Sequence, residues 1–365
     1  MFQNRTLYHL SHIDLDGYSC QLLTNSIFSN RKYYNSNYGA EIITRLEEMF
    51  LAIDESNEDK IFILITDLNL NRNEAVFIEK EIQSRTYLDI KVQLLDHHIT
   101  GQKIADSYSW YYLNSEKSAT QITYEFIEKN FGFPDTIKNK LPAFVEAVNA
   151  VDIWLDKQTK PFEYGKVMMR LISSAREVNR FLFSDYDHEY KLFLLEKAMN
   201  LLSEESEKQN IALDDNIHFI KKAFFRDSGE DDTFDNLLTF KIVDLLTKNR
   251  NNLTVEYKGY RGLLTYSLGN TSIIGNAFLR KNPDYDFILD VSGKGFLSIR
   301  ADGQVDVALM AREIGDGGGH KNASGGKIKG FKEKFKYDEV KTVIQDYLDE
   351  KASVKRELSS KRVEG

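Results

Sequence analysis

Three apolar runs in the first hundred residues each end in groups that can hold a cation, and this coincidence limits the fold more than any other feature of the chain. Residues 6–11 (TLYHLS) lead into His12-Ile13-Asp14-Leu15-Asp16-Gly17. Residues 61–66 (IFILIT) lead into Asp67, and residues 91–95 (KVQLL) lead into Asp96-His97-His98. Runs this short and this apolar read as strands covered on both faces. Helical patterns separate them at residues 17–28, 40–53 and 72–84. Further helices follow at 118–130, opened by the cap candidate Ser118, and at 141–151. Strand–helix alternation of this kind predicts an α/β domain with a parallel sheet and flanking helices. Ligands of open α/β sheets bind beyond the carboxyl ends of the strands, so the three tips are expected to meet in one crevice.

In an extended or turning stretch, His12, Asp14 and Asp16 alternate by two and share a side, while Ile13 and Leu15 face the protein. Gly17 permits close backbone approach or a sharp turn into the next helix. Carboxylate oxygen with imidazole nitrogen suits manganese or magnesium, and no thiolates are present to favour structural zinc. Several carboxylates in one crevice repel one another, so positive charge must join them. Two divalent ions would neutralise Asp14, Asp16, Asp67 and a fourth acid, taken as Asp152 in the apolar helical stretch 146–154. A lone acid after a strand is ordinarily a helix cap or turn residue. Caps do not explain three such ends in order.

Beyond this half, residues 187–226 carry a charged helical pattern, read as a linking helix with one more helix of the first domain as the alternative, and 227–236 form a polar acidic loop. A second β-rich pattern starts near Leu253, with strands at 261–268, 287–292 and 295–300 and a helix at 305–314. A glycine-rich loop at 315–319 then precedes His320, a strand at 326–329 and a helix at 337–351. The expected division is a metal-binding catalytic domain at 1–185, a helical linker at 186–236, a smaller α/β substrate-binding domain at 237–350 and a charged, frayed tail at 351–365. The active site is expected in the cleft between the two domains, which two domains joined by a helix could close around substrate. Gly317, Gly318 and Gly319 can present backbone N–H groups to an anion. Arg300 offers a bidentate fork, and His320 is a phosphate contact candidate. His9 lies on the opposite strand face from His12 and is expected to pack or hydrogen-bond. His188 and His218 are expected on the surface.

Net charge is −8. The basic excess of a protein that clamps long duplex DNA is missing, whereas a small anionic substrate fits if bound metal supplies local positive charge. Cys20 is the only cysteine, so no disulfide forms within the chain, as expected in a reducing cytosol. No apolar run approaches the roughly 20 residues that span a bilayer, and no signal peptide is visible. The chain reads as cytoplasmic, with no membrane partner.

These residues resemble the DHH phosphoesterase superfamily. Its first motif is matched by Ser11-His12-Ile13-Asp14-Leu15-Asp16-Gly17, its second by Asp67, its third by Asp96-His97-His98 and its fourth by Asp152. Gly317-Gly318-Gly319-His320, followed by Ala323-Ser324-Gly325-Gly326, resembles the loop of the DHH-associated domain, as does the strand Leu297-Ser298-Ile299-Arg300. One departure is Asp316, where many members carry glycine. The resemblance implies that His12, Asp14 and Asp67 hold one metal, and that Asp16, Asp67, His97 and Asp152 hold the other. Asp96 would orient a histidine from behind, and His98 would lie near the substrate phosphate. Ser298, Arg300, Gly317, Gly318, Gly319 and His320 would bind substrate. The ions would be manganese, with magnesium or cobalt admitted, about 3.5–4 Å apart. The compact two-domain plan looks like the nanoRNases. It implies hydrolysis of short oligoribonucleotides and linear dinucleotides to mononucleotides by metal-activated water, without a covalent intermediate. The alternatives are a 3′-phosphoadenosine 5′-phosphate phosphatase, a cyclic-dinucleotide phosphodiesterase and, outside catalysis, a nucleotide sensor. The implied partner is short RNA or a nucleotide, and a homodimer is compatible with the resemblance.

Overall fold

Five parallel strands build the first sheet of the computed structural model: β1 (Thr6–His12), β2 (Arg31–Ser36), β3 (Lys60–Thr66), β4 (Asp89–Asp96) and β5 (Tyr111–Leu113). Their order is β2-β1-β3-β4-β5. The structure describes residues 2, 4–155, 159–202, 208–226 and 231–360, the last seven by backbone alone. The chain steps from β1 to β2 on one side and places β3 on the other. The strand order therefore reverses between β1 and β3, and such a switch point opens a crevice beyond the carboxyl ends.

β1 and β3 are central, and their apolar residues are buried on both faces. Tyr8, Leu10, Ile63 and Ile65 pack with Leu46 and Phe50 on one side, while Leu7, Phe62, Leu64, Leu95 and Ile122 pack on the other. Fully burying a side chain of this size contributes roughly 1.5–3 kcal/mol, so a one-residue slip of either strand is excluded. The flanking helices are α1 (Leu15–Asn25), α2 (Ala40–Asp54), α3 (Arg72–Ser84), α4 (Gln102–Ala105), α5 (Ala119–Asn130), α6 (Asp135–Lys138), α7 (Leu141–Asp152) and α8 (Lys160–Ser173). Ser118 caps α5 by accepting from the Gln121 N–H, as expected.

The chain divides into two compact units, one of residues 1–176 and 185–224, the other of 177–184 and 225–365. The span read as a linker holds two helices, α9 (Ser184–Leu202) and α10 (Gln209–Phe225), most of which belong to the first unit. Their apolar faces are the reason. Tyr190, Leu194, Leu195, Ala198 and Leu213 are fully buried, and the Tyr164 hydroxyl donates to the Ala198 carbonyl at 2.6 Å. His188, expected on the surface, is buried with its ring stacked on Tyr33 at 4.2 Å. His218 is exposed. Part of the predicted linker (203–207), part of the predicted acidic loop (227–230) and the end of the predicted tail (361–365) lie outside the described residues.

The second unit holds α11 (Phe234–Leu253), β6 (Thr254–Tyr257), β7 (Tyr260–Tyr266), α12 (Thr271–Lys281), β8 (Phe287–Val291), β9 (Phe296–Ala301), α13 (Val307–Ile314), β10 (Gly318–His320), β11 (Ala323–Lys327) and α14 (Tyr337–Ser360). The sheet order is β10-β11-β9-β8-β7-β6, antiparallel except for the β7–β8 pair. Its core gathers Phe287, Leu289, Ile299, Val307, Ile314 and Ile344. Residues 177–184 lead into α9 but join this unit. Asn179 Nδ2 donates to the carbonyls of Tyr266 at 2.9 Å and Ser267 at 2.7 Å. α14 runs into the region read as a frayed tail. Among the described residues, no helix is long and apolar enough to cross a membrane.

Candidate metal centre

Each sequence-predicted ligand of the first unit sits where a strand or helix ends. Asp14 caps α1, its Oδ1 accepting the Gly17 N–H at 3.0 Å. Asp16, two residues on in the first turn of α1, is fully buried. Its two oxygens accept the N–H groups of Ala119 at 2.7 Å and Thr120 at 2.8 Å, at the start of α5. The unpaired donors and positive dipole end of a helix N-terminus are what let a buried carboxylate persist there. Asp67 leaves β3 with φ of 55°, a left-handed conformation that non-glycine residues seldom adopt. Thr66 just before it is pinned, with Oγ1 2.8 Å from His9 Nε2 and 2.7 Å from Ser11 Oγ. This buried chain ties β1 to β3 beneath the site, and it gives His9 the hydrogen-bonded role expected of it.

The ligands converge in three overlapping groups, namely His12, Asp14 and Asp67; Asp67, His97 and His98; and Asp16, His97 and Asp152. His12 Nδ1 lies 2.9 Å from Asp14 Oδ2 and 3.6 Å from Asp67 Oδ2. His97 Nε2 lies 3.3 Å from Asp67 Oδ1, 3.4 Å from Asp152 Oδ2 and 3.8 Å from Asp16 Oδ2. Asp67 thus turns one oxygen to each histidine, the geometry a bridging carboxylate needs. His12 Nδ1, Asp67 Oδ2 and Asp152 Oδ2 are buried without an aligned hydrogen-bond partner. Orphaned buried polar atoms are costly, and hard or borderline dications held by these overlapping groups would satisfy them.

Electrostatics point the same way. Burial, then the charges of Asp14 and Asp16, hold the Asp67 carboxyl well above the usual range. Burial and Asp16 raise Asp152 to about 8, and burial raises Asp16. Burial opposes charge on His12, but Asp14 and Asp67 outweigh it and raise the imidazole to about 9. Burial works against Asp14 as well, yet His12 and the Gly17 N–H bring it down to about 2. Asp16, Asp67 and Asp152 resist ionisation by themselves, and added positive charge would stabilise their carboxylates.

Asp96 is fully buried. Its Oδ1 lies 2.7 Å from His98 Nδ1, and its Oδ2 accepts the Tyr111 hydroxyl at 2.6 Å. The histidine it orients is therefore His98. Burial alone would raise this carboxyl, but the bonds from His98 and Tyr111 bring it below the usual range. Sequence reasoning missed both Tyr111 and Tyr38, whose hydroxyl lies 2.8 Å from His98 Nε2. For Tyr38 the available signal was an aromatic residue in the turn-forming stretch Asn37-Tyr38-Gly39.

In the second unit, Ser298 and Arg300 alternate with the buried Leu297 and Ile299 and so share the other face of β9. Arg300 donates to Ser272 Oγ at 2.7 Å and borders a groove of about 1060 Å³ lined by Phe240, Asn276, Arg280 and Asn322. His320 is exposed. The glycine-rich segment is not the free loop expected. Gly318, Gly319 and His320 pair with Gly325, Ser324 and Ala323 as a hairpin. The Gly317 N–H donates to the Gly315 carbonyl, and a Cβ on Gly317 would stand 2.2 Å from the Gly325 carbonyl oxygen. Close strand packing requires glycine there.

The DHHA1 domain family matches residues 279–350. A relative from Helicobacter pylori (strain ATCC 700392 / 26695) is 44% identical over 347 residues, spanning 94% of this chain and 99% of the relative. The chain belongs to the DHH phosphoesterase superfamily. That relative bears the name 3′,5′-cyclic-nucleotide phosphodiesterase. The crystal structure of an uncharacterized protein from Helicobacter pylori G27 is 42% identical, with a TM-score of 0.86 over 95% of this chain and 100% of that one.

Proposed function

We propose that this chain is a divalent-metal phosphodiesterase that cleaves the 3′,5′-linkage of short oligoribonucleotides and linear dinucleotides to mononucleotides. The observation that carries the reading is Asp67, buried, with its two oxygens turned to two ligand clusters. In this assignment His12, Asp14 and Asp67 hold one ion, and Asp16, Asp67, His97 and Asp152 hold the other. Two such ions, manganese in the reading we favour, would activate a water near neutral pH and offset charge on the phosphoryl oxygens. The protein's part is positioning. The α5 N-terminus fixes Asp16, the Ser11–Thr66 bond fixes the turn at Asp67, and Asp96 fixes His98 toward the substrate phosphate. Arg300, Ser298, Gly317, Gly318, Gly319 and His320 form the proposed substrate grip of the second unit. A nucleotide sensor would have no use for every ligand.

A second reading is a 3′,5′-cyclic mononucleotide as substrate. The name of the Helicobacter pylori relative favours it, and the linkage cleaved has the same chemistry. Incubation of the manganese-loaded protein with pApA, 3′,5′-cyclic AMP and 3′-phosphoadenosine 5′-phosphate, with products identified by mass, separates the readings. AMP from pApA supports the first and AMP from the cyclic nucleotide the second. Inorganic phosphate from the bisphosphate alone would replace both with a phosphatase.

A further inference from the structure

Tyr38 stands on the exposed turn between β2 and α2, with 42% of its surface open to solvent. Its ring nonetheless reaches across the metal centre. The ring centroid lies 4.5 Å from that of His12, and the hydroxyl is 2.8 Å from His98 Nε2 and 3.4 Å from the Asp67 carbonyl oxygen. The rest of the array holds the His98 ring from the other side. Asp96 accepts the Tyr111 O–H through Oδ2 and faces His98 Nδ1 through Oδ1. A carboxylate only accepts, so the hydrogen of that pair sits on His98 Nδ1. Tyr38 stands at the solvent end of the chain Tyr111–Asp96–His98–Tyr38, and its hydroxyl can both donate and accept. A phosphate oxygen arriving beside His98 is an acceptor, and the Tyr38 O–H can turn to it.

We propose that Tyr38 is a substrate-contacting residue, whose hydroxyl leaves His98 Nε2 and donates to a non-bridging oxygen of a nucleotide phosphate. The inference rests on the phosphodiesterase reading and deepens it. His98 then serves to park and aim the hydroxyl, and no bond other than the hydrogen bond is exchanged. The side chain sits on the loop between β2 and α2 and is 42% exposed, so a turn of the hydroxyl leaves the sheet packing undisturbed.

Tyr38→Phe keeps the ring against His12 and removes only the hydroxyl. Three measurements are made on it and on the unaltered protein. These are turnover of bis(p-nitrophenyl) phosphate with manganese, binding of 5′-AMP to the manganese-loaded protein by calorimetry, and manganese affinity itself. Loss of a hydrogen bond to a charged group predicts that kcat/KM and AMP affinity both fall about 10–100-fold. Manganese affinity should stay within about 3-fold, because the hydroxyl removed meets His98 and the Asp67 main-chain carbonyl and none of the ligand atoms assigned to the ions. Unchanged AMP affinity in Tyr38→Phe would overturn the proposal, and so would a loss of manganese affinity as large as the loss of AMP affinity, which marks a structural role. If the unaltered protein binds manganese and AMP but turns over no phosphodiester, the phosphodiesterase reading fails. The AMP comparison still judges Tyr38.

Discussion

Gly17→Ala should damage the metal centre without replacing a ligand. A Cβ at Gly17 would stand 2.3 Å from the His12 carbonyl oxygen, 2.7 Å from its carbon and 2.9 Å from its nitrogen, all of them backbone atoms of a central strand. No side chain can swing aside. The glycine is also fixed from both ends, its N–H on Asp14 and its carbonyl accepting from Ser11 Oγ at 2.9 Å. To restore ordinary contact, the start of α1 must retreat by about 1 Å, taking Asp14 and Asp16 away from Asp67 and His97. Overpacking of this kind costs about 1–3 kcal/mol, with about 1 kcal/mol more if the Asp14 cap is lost. For a unit of this size that is a fall of roughly 2–4 °C in melting temperature per kcal/mol. A ligand set displaced by ~1 Å should lower turnover on the order of 100-fold, with a matching loss of manganese affinity. Thermal melting with chelator and calorimetric titration with manganese test both numbers. A Gly17→Ala protein that melts within about 1 °C of the parent and binds manganese equally well would refute the reasoning.

Three further outcomes follow from the same geometry. In chelator, stability should fall as pH rises from 6 to 9 (about 6 and about 9 being the ends of the useful window), because the folded state holds protons that the unfolded chain would release. Asp152 is raised from 3.8 to about 8 and His12 from 6.5 to about 9, so each loses its contribution on the way up. Saturating manganese should flatten or invert that slope, and melting curves at both pH values would expose a wrong sign. Asp67→Asn should lower manganese affinity by ~100-fold or more while leaving the chelated protein as stable or more so, since a buried acid under repulsion becomes neutral; calorimetry and melting together check this. Gly101→Ala would put a Cβ 2.1 Å from the Tyr111 hydroxyl, forcing it off Asp96. Turnover should drop about 10–100-fold as His98 loses its alignment, with wild-type rates counting against the Tyr111–Asp96–His98 chain.

The parts of this site visible in the sequence are those carried by buried strands. β1, β3 and β4 announce themselves because runs such as IFILIT must be covered on both faces, and the residues that follow them are then placed by the sheet. The edge strands β2 (RKYYNS) and β5 (YYL) are half exposed and carry no continuous apolar run, so nothing local marks them. Tyr111 lies on β5 and is unmarked for that reason, while Tyr38 follows β2 with only the turn-forming Asn37-Tyr38-Gly39 to signal it. Asp16 was legible as an acid beside the others, but its dependence on the α5 N–H groups was not, because they lie 103 and 104 residues away. The helices of 185–224 misled through their charge. Their buried stripe of Tyr190, Leu194 and Ala198 binds them to the first unit more strongly than their polar faces suggest.

The path of the chain has a practical consequence. It passes from one unit to the other after Arg176, returns at Asp185 and passes over again after Phe224. No single cut frees either half. A fragment starting near residue 237 would lack Asn179, whose side chain occupies the carbonyls of Tyr266 and Ser267, and Phe181, whose ring meets Tyr266 at 5.5 Å. Recombination that swaps the second unit between relatives would have to carry residues 177–184 along as a second, separate insert. One-crossover chimeras of this architecture should therefore be recovered insoluble far more often than two-crossover ones.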